Sequence, residues 1–252
     1  MEQDIGPSVK LLPWDSQFFN FGVARLVTPH LTPQLWKQVR SWCMENHIRC
    51  LYYEANLNDF ESLSTAAAVG FLPIDVRVIF DYHMTDEVAL KTSLYSPRRT
   101  KCNISPVDPR QFLAIEEIAR DIGKVSRFHL DMHFPRGASG EMYVLWARKV
   151  YQSVSGAVLV ATLNEVVAGF IACEREQGEG KIALVGVDSH SRGHGVGTHL
   201  VLGALDWFQK QGCELVQVVT QGCNVAAQRL YQKVGFRTAS TTLTYHYWFD
   251  YV

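Results

Sequence analysis

Between Leu184 and Leu200 three glycines, Gly193, Gly195 and Gly197, follow Arg192 at alternate positions. The residues before them, with Val185, Gly186 and Val187, read as strand, and Val196 and Thr198 open a helical pattern. Glycine in such a turn lets backbone N–H groups approach a ligand with no Cβ in the way. The helix start behind it offers unpaired N–H groups and the positive end of its dipole, a natural seat for a diphosphate. Arg192 adds a guanidinium suited to phosphate, and His194 lies within the run. Two other phosphate-binding patterns do not fit. A dinucleotide fingerprint needs glycine where Thr198 or Leu200 stands, and a triphosphate loop needs a Gly-Lys pair that is missing.

Two further segments carry chemistry. Ala227, Tyr231 and Val234 fall at helical spacing on one face, the arrangement of a core stripe. The Tyr231 phenol, with an ordinary pKa of ~10, also stays protonated at neutral pH and can supply a proton. Asn224 stands where a helix cap is expected. Residues 126–134 bring together Arg127, Phe128, His129, Asp131, His133 and Phe134. If that segment is extended, His129, Asp131 and His133 share a face, a spacing metals can use.

These groups must be positioned by alternating helices and strands. Residues 35–46 carry apolar positions at three-to-four spacing, 51–55 are rich in strand formers, 60–69 form a helical pattern stopped by Gly70, and 74–80 alternate with period two. A proline-punctuated stretch, 95–109, is the expected domain boundary. Beyond it the pattern predicts helices over 111–122, 141–153, 196–211 and 225–234, with 126–137 irregular. Strands are expected around the turn Asn164-Glu165, over 181–187 and 215–220, and in a long final region. Trp42 answers Trp207, 51–55 answers 215–219, and Val69-Gly70-Phe71 answers Val234-Gly235-Phe236. Helix–strand–helix–Gly-Phe–strand occurs twice, the mark of a duplicated unit. Only the second copy has the glycine turn, so a phosphate-bearing ligand belongs to it.

Composition narrows the class. The 252 residues carry 24 Lys+Arg against 25 Asp+Glu and are 47% hydrophobic, the balance of a folded protein. A net charge of −1 without a basic stripe argues against nucleic acid as partner. The polar Met1-Glu2-Gln3-Asp4 start and the absence of an apolar run of ~18–20 residues lead to an expected cytoplasmic location with no membrane partner. Six cysteines form no C-x-x-C pair, so reduced thiols and no zinc site are expected.

Arg192-Gly193-His194-Gly195-Val196-Gly197 resembles the (Arg/Gln)-x-x-Gly-x-(Gly/Ala) signature of the GNAT superfamily of N-acetyltransferases, and Asn224-x-x-Ala227-x-x-Leu230-Tyr231 resembles its second signature. The resemblance implies a mixed, largely antiparallel α/β (α+β) sheet flanked by helices over residues 101–252. A reduced unit of the same kind, 1–100, precedes it. It also implies acetyl-coenzyme A as cosubstrate and no metal, with the pyrophosphate on the amides of 193–198 and the pantetheine along Val185, Gly186 and Val187. Tyr231 then becomes the general acid, and Asn224 either a coenzyme contact or only a cap. Ser189 departs from the proline many members carry. The opening Leu12-Pro13-Trp14-Asp15-Ser16-Gln17-Phe18-Phe19, Thr220-Gln221 and the aromatic ending Tyr245, Tyr247, Trp248 resemble the members that N-acetylate nucleotide-linked 4-amino-4,6-dideoxy sugars for cell-surface glycans. On that likeness Ser126, Arg127, Phe128 and His129 are acceptor contacts, and a homodimer is what the fold class implies. Glu174, His129, Asp131 or a water chain are the candidates for the base. An acyl-enzyme on cysteine is set aside, since none stands beside a suggestive base. Acetylation of a peptide, lysine or small amine, and acyl-coenzyme A sensing without catalysis, are the rival readings.

Overall fold

Alternating strands and capped helices follow one another through residues 8–84 and 102–250, the residues described in the computed structural model. The first stretch holds β1 (Val9–Leu11), α1 (Pro13–Phe19), β2 (Gly22–Leu26), α2 (Pro33–Glu45), β3 (Ile48–Asn56), α3 (Phe60–Val69) and β4 (Leu72–His83). The second opens with β5 (Cys102–Pro106), α4 (Phe112–Gly123), a single turn α5 (Arg127–Leu130), α6 (Ala138–Gln152), β6 (Gly156–Leu163), β7 (Val166–Glu176) and β8 (Glu179–Val187). It closes with α7 (Val196–Lys210), β9 (Leu215–Gln221), α8 (Val225–Val234) and β10 (Arg237–Trp248).

Local chemistry sets the helix ends. Asp59 accepts the Ser62 N–H at the start of α3, and Asn224 accepts the Ala227 N–H at the start of α8. Both helices stop at glycines in the left-handed region, Gly70 (φ 96°) and Gly235 (φ 114°), where a Cβ would be strained.

The ten strands join one mixed sheet in the order β1-β2-β3-β10-β4-β9-β8-β7-β6-β5. Its pairs are antiparallel except β2 with β3 and β8 with β9. The two units exchange their last strands. β10 pairs with β3 from Thr242↔Asn56 to Trp248↔Cys50, and β4 pairs with β9 from Arg77↔Gln221 to His83↔Leu215. Residues 95–101 lie outside the described residues, while 102–106 form the edge strand β5 against β6. A proline is tolerated there because Pro106 closes an edge strand.

Four apolar clusters fill the faces of the sheet. One joins the units: Phe19, Val23, Cys50 and Tyr52 pack with Phe134 and Met142, and the Phe19 and Phe134 rings lie 4.5 Å apart. Burying each large side chain contributes ~1.5–3 kcal/mol, so the two units hold each other through this layer as well as through hydrogen bonds. Among the described residues no helix is long and apolar enough to cross a membrane. All six cysteines are free thiols, four of them buried.

Candidate active site

The parallel pairing of β8 with β9 runs from Glu179↔Leu215 to Ile182↔Val218, and beyond it the strands part. A bulge in β8 precedes the divergence: Cys173 faces Ile182 and Ala172 faces Leu184, leaving Ala183 as the extra residue. Ile182, Val185 and Val187 consequently face the core under α7, while Leu184 packs with α4 and α6. A cavity of about 1050 Å³ occupies the opening, with Val185 and Val187 on its wall. Gly186 is turned away, where an added Cβ would meet Ile118 Cγ2 at 2.6 Å.

Part of the cavity wall is the glycine turn. Gly193, Gly195, Val196, Gly197 and Thr198 line it, whereas His194 is exposed and lies off the wall. Gly195, at φ 80°, begins α7 with no side chain capping it, so the first N–H groups of the helix face the cavity without a protein cap. Arg192 also borders the cavity, but its guanidinium is engaged. Nη2 donates to Asp121 Oδ2 at 2.6 Å and Nε donates to the Val187 carbonyl at 3.2 Å, bracing the turn against α4 and the end of β8.

Tyr231 also borders the cavity, 4% exposed, with its ring 5.8 Å from those of Phe80 and Phe236. It belongs to the core stripe and borders the cavity at once. Burial pushes its phenol well above the ordinary tyrosine value, so the proton stays on. Asn224 borders the cavity too, while its Oδ1 caps α8 at 3.2 Å from the Ala227 nitrogen.

The lining also holds a charged basin of Arg25, Glu54, Asp75, Arg77 and Arg127, with the hydroxyl-bearing Thr244. Glu54 accepts from Arg77 Nη1 at 3.3 Å. Burial raises the Asp75 carboxyl above its usual value, against hydrogen bonds from the Val76 and Gly222 backbone and the pull of Arg127. Sequence reading missed the strand residues among them, Arg25, Glu54, Asp75, Arg77 and Thr244. A charge-bearing strand in mid-sheet was their only signal, because alternation marks the polar face of β4 without saying that it faces a cavity.

Of the four expected acceptor contacts, Arg127 and Phe128 border the cavity, whereas Ser126 and His129 do not. Ser126 is buried, with Oγ donating to the Gly123 carbonyl at 2.7 Å, and His129 borders a separate 360 Å³ pocket, because α5 turns the two away. His129, Asp131 and His133 share no extended face. Among the described residues no group of three or more His, Cys, Asp or Glu is arranged to hold a metal. Asp131 is tied to His133, His246 and Trp248, and neither it, His129 nor Glu174 borders the main cavity.

Splayed parallel strands thus lead to a glycine-opened helix without a side-chain cap, and the buried Tyr231 phenol borders the same cavity. Residues 114–236 match the model of the acetyltransferase (GNAT) family. The chain is 28% identical over 162 residues to the spore coat polysaccharide biosynthesis protein SpsD of Bacillus subtilis (strain 168), an alignment covering 64% of this chain and 56% of that protein. It thus spans little more than half of that relative. The fold is shared with a GCN5-related N-acetyltransferase from Sphaerobacter thermophilus (TM-score 0.67, 12% identity, 95% of this chain and 76% of that one). It is shared also with a tandem GNAT protein from the clavulanic acid biosynthesis pathway (TM-score 0.57, 15% identity, 90% and 75%). The two-unit arrangement has a counterpart in the latter.

Proposed function

We propose that the chain transfers an acetyl group from acetyl-coenzyme A to the amine of a nucleotide-linked 4-amino-4,6-dideoxy sugar, of the TDP-fucosamine type. The observation that carries this reading is a single cavity joining the glycine turn, Tyr231 and the charged basin. Its size suits two ligands meeting end to end, and the likeness to a polysaccharide biosynthesis protein supports a sugar acceptor. In the same proposal residues 1–100 are the reduced unit, 101–252 the catalytic one, and the product enters surface glycans.

When bound, acetyl-coenzyme A supplies the thioester. The amides of 193–198 hold its pyrophosphate, and Val185 and Val187 flank the pantetheine. The amine reaches the enzyme as an ammonium, and Asp75, buried enough to favour taking a proton, is the carboxylate placed to receive one. Attack forms the C–N bond and breaks the C–S bond; Tyr231 donates its proton to the departing sulfur, and the second proton released by the nitrogen restores the phenol. The raised pKa of that phenol keeps it protonated until the thiolate departs.

Thiol release measured over a panel of amines tests the reading. A TDP-4-amino-4,6-dideoxy sugar is the expected best acceptor by at least tenfold in kcat/KM. In the Asp75→Asn protein that acceptor turns over more slowly, and the acid limb of the pH profile is lost. Preference for a peptide or lysine would overturn the acceptor, and binding of acetyl-coenzyme A without turnover of any amine would make the protein a sensor.

A further inference from the structure

The guanidiniums of Arg77, Arg120, Arg148 and Arg192 are engaged by carboxylates. Arg127 is held differently. Its Cζ lies 4.3 Å from the Tyr52 ring centroid and 4.6 Å from that of Phe128, so two aromatic faces fix the guanidinium. Its Nη1 lies 3.4 Å from His246 Nε2, and the other ring nitrogen of His246, Nδ1, lies 2.6 Å from Asp131 Oδ2. His246 is fully buried. Burial lowers its pKa to about 4, against the opposing hydrogen bond to Asp131, so the ring is neutral. A neutral ring that donates from Nδ1 to a carboxylate has a lone pair at Nε2, which is what a guanidinium N–H requires. Burial alone would raise Asp131, but hydrogen bonds from His246, His133 and Trp248 outweigh it and hold the carboxyl well below the usual carboxylate range. The result is a directed chain, Asp131 to His246 to Arg127, ending in the charged basin of the cavity.

We propose that His246 and Asp131 are positioning residues that aim the Arg127 guanidinium at the diphosphate of the acceptor. The site depends on both units, since Tyr52 lies on β3 and His246 on β10, paired at that register point. This inference rests on the proposed acceptor class. The chain contributes to acceptor affinity and not to acetyl transfer, because its one link to the cavity is a charge that recognises an anion.

The test is titration calorimetry of TDP into the full chain saturated with acetyl-coenzyme A, which keeps the donor site from taking the probe. His246→Phe keeps ring volume and removes both ring nitrogens. It is expected to raise the TDP dissociation constant about tenfold, as is Arg127→Met, with acetyl-coenzyme A affinity changed less than twofold. The double variant is expected to be no weaker than Arg127→Met alone, since a relay loses nothing once its target is gone. Additive losses, an unchanged TDP constant, or equal weakening of both ligands would overturn the relay. If His246→Phe does not fold, Asp131→Asn is read by the same criteria. Failure of the unmodified chain to bind TDP overturns this inference, whereas failure to bind acetyl-coenzyme A overturns the proposed function itself.

Discussion

The two units of the chain follow one plan and differ at two places. Each has a helix, a strand, a short capped helix, a left-handed glycine with phenylalanine after it, and a long strand. With Gly70 set against Gly235, Phe71 donates to the Ala66 carbonyl at 2.9 Å as Phe236 donates to that of Tyr231 at 3.0 Å. The fully buried Ala66 therefore occupies the place of the phenol. The second difference lies ahead of the long helix. In the first unit all of β2 is paired with β3, and the connection to α2 is closed: Leu31 is fully buried with its N–H on Ser62 Oγ, and Thr32 caps the helix. In the second unit β8 parts from β9 and the helix start has no side-chain cap. The cavity opens where the parallel pairing is released and the helix start has no side-chain cap. The closed copy serves as scaffold, lending Arg25, Glu54, Asp75 and Arg77 to the other copy's cavity.

The comparison breaks most sharply at the phenol. Tyr231→Phe is expected to lower turnover by about 10²-fold or more while leaving acetyl-coenzyme A affinity within twofold. Ala66→Gly at the matching place costs only ~1 kcal/mol of stability and leaves turnover unchanged. Steady-state kinetics and denaturant melts read both. Near-normal turnover in Tyr231→Phe would make Tyr231 packing, as Ala66 is.

How much of this was legible follows from the kind of signal. Residues 60–69 and 225–234 carry apolar spacing, a cap residue and a terminal glycine, and each forms a helix with those bounds. The glycine turn was legible because left-handed φ values and bare amides need particular residue types. The strand exchange was not, since alternation in 74–80 marks two faces and names no neighbour. The basin was hidden for the same reason: Asp75 and Arg77 have the spacing of solvent-facing residues, and only the placement of β4 beside β9 brings them to a cavity. Ser126 and His129 were grouped with Arg127 and Phe128 by adjacency, but one helical turn sends adjacent side chains in different directions.

The glycine turn gives a middle-sized test. Gly195 holds φ 80°, a conformation costing an L-residue about 1–2 kcal/mol. Gly195→Ala is expected to weaken acetyl-coenzyme A binding about tenfold by calorimetry, since the helix start must leave its binding geometry or bear strain. Thr32→Gly in the first unit loosens a cap, costs a few tenths of a kcal/mol and creates no affinity, because the cleft there stays paired. An undiminished affinity in Gly195→Ala would mean that the turn does not carry the phosphates.

The smallest effect is expected at Arg192, and it separates two roles for one side chain. Sequence reading offered it to phosphate, whereas in the structure it braces the turn through Asp121, with side-chain exposures of 55% and 38%. An ion pair this open contributes at most about 1 kcal/mol and is screened by salt. Arg192→Gln should therefore raise the KM for acetyl-coenzyme A about threefold, leave kcat unchanged, and lose most of that difference at high ionic strength. Asp121→Asn should behave alike, because removing either end frees the same turn. A loss of about a hundredfold in Arg192→Gln alone, with Asp121→Asn near normal, would place the guanidinium on the phosphates, with Asp121 only holding it when the ligand is away.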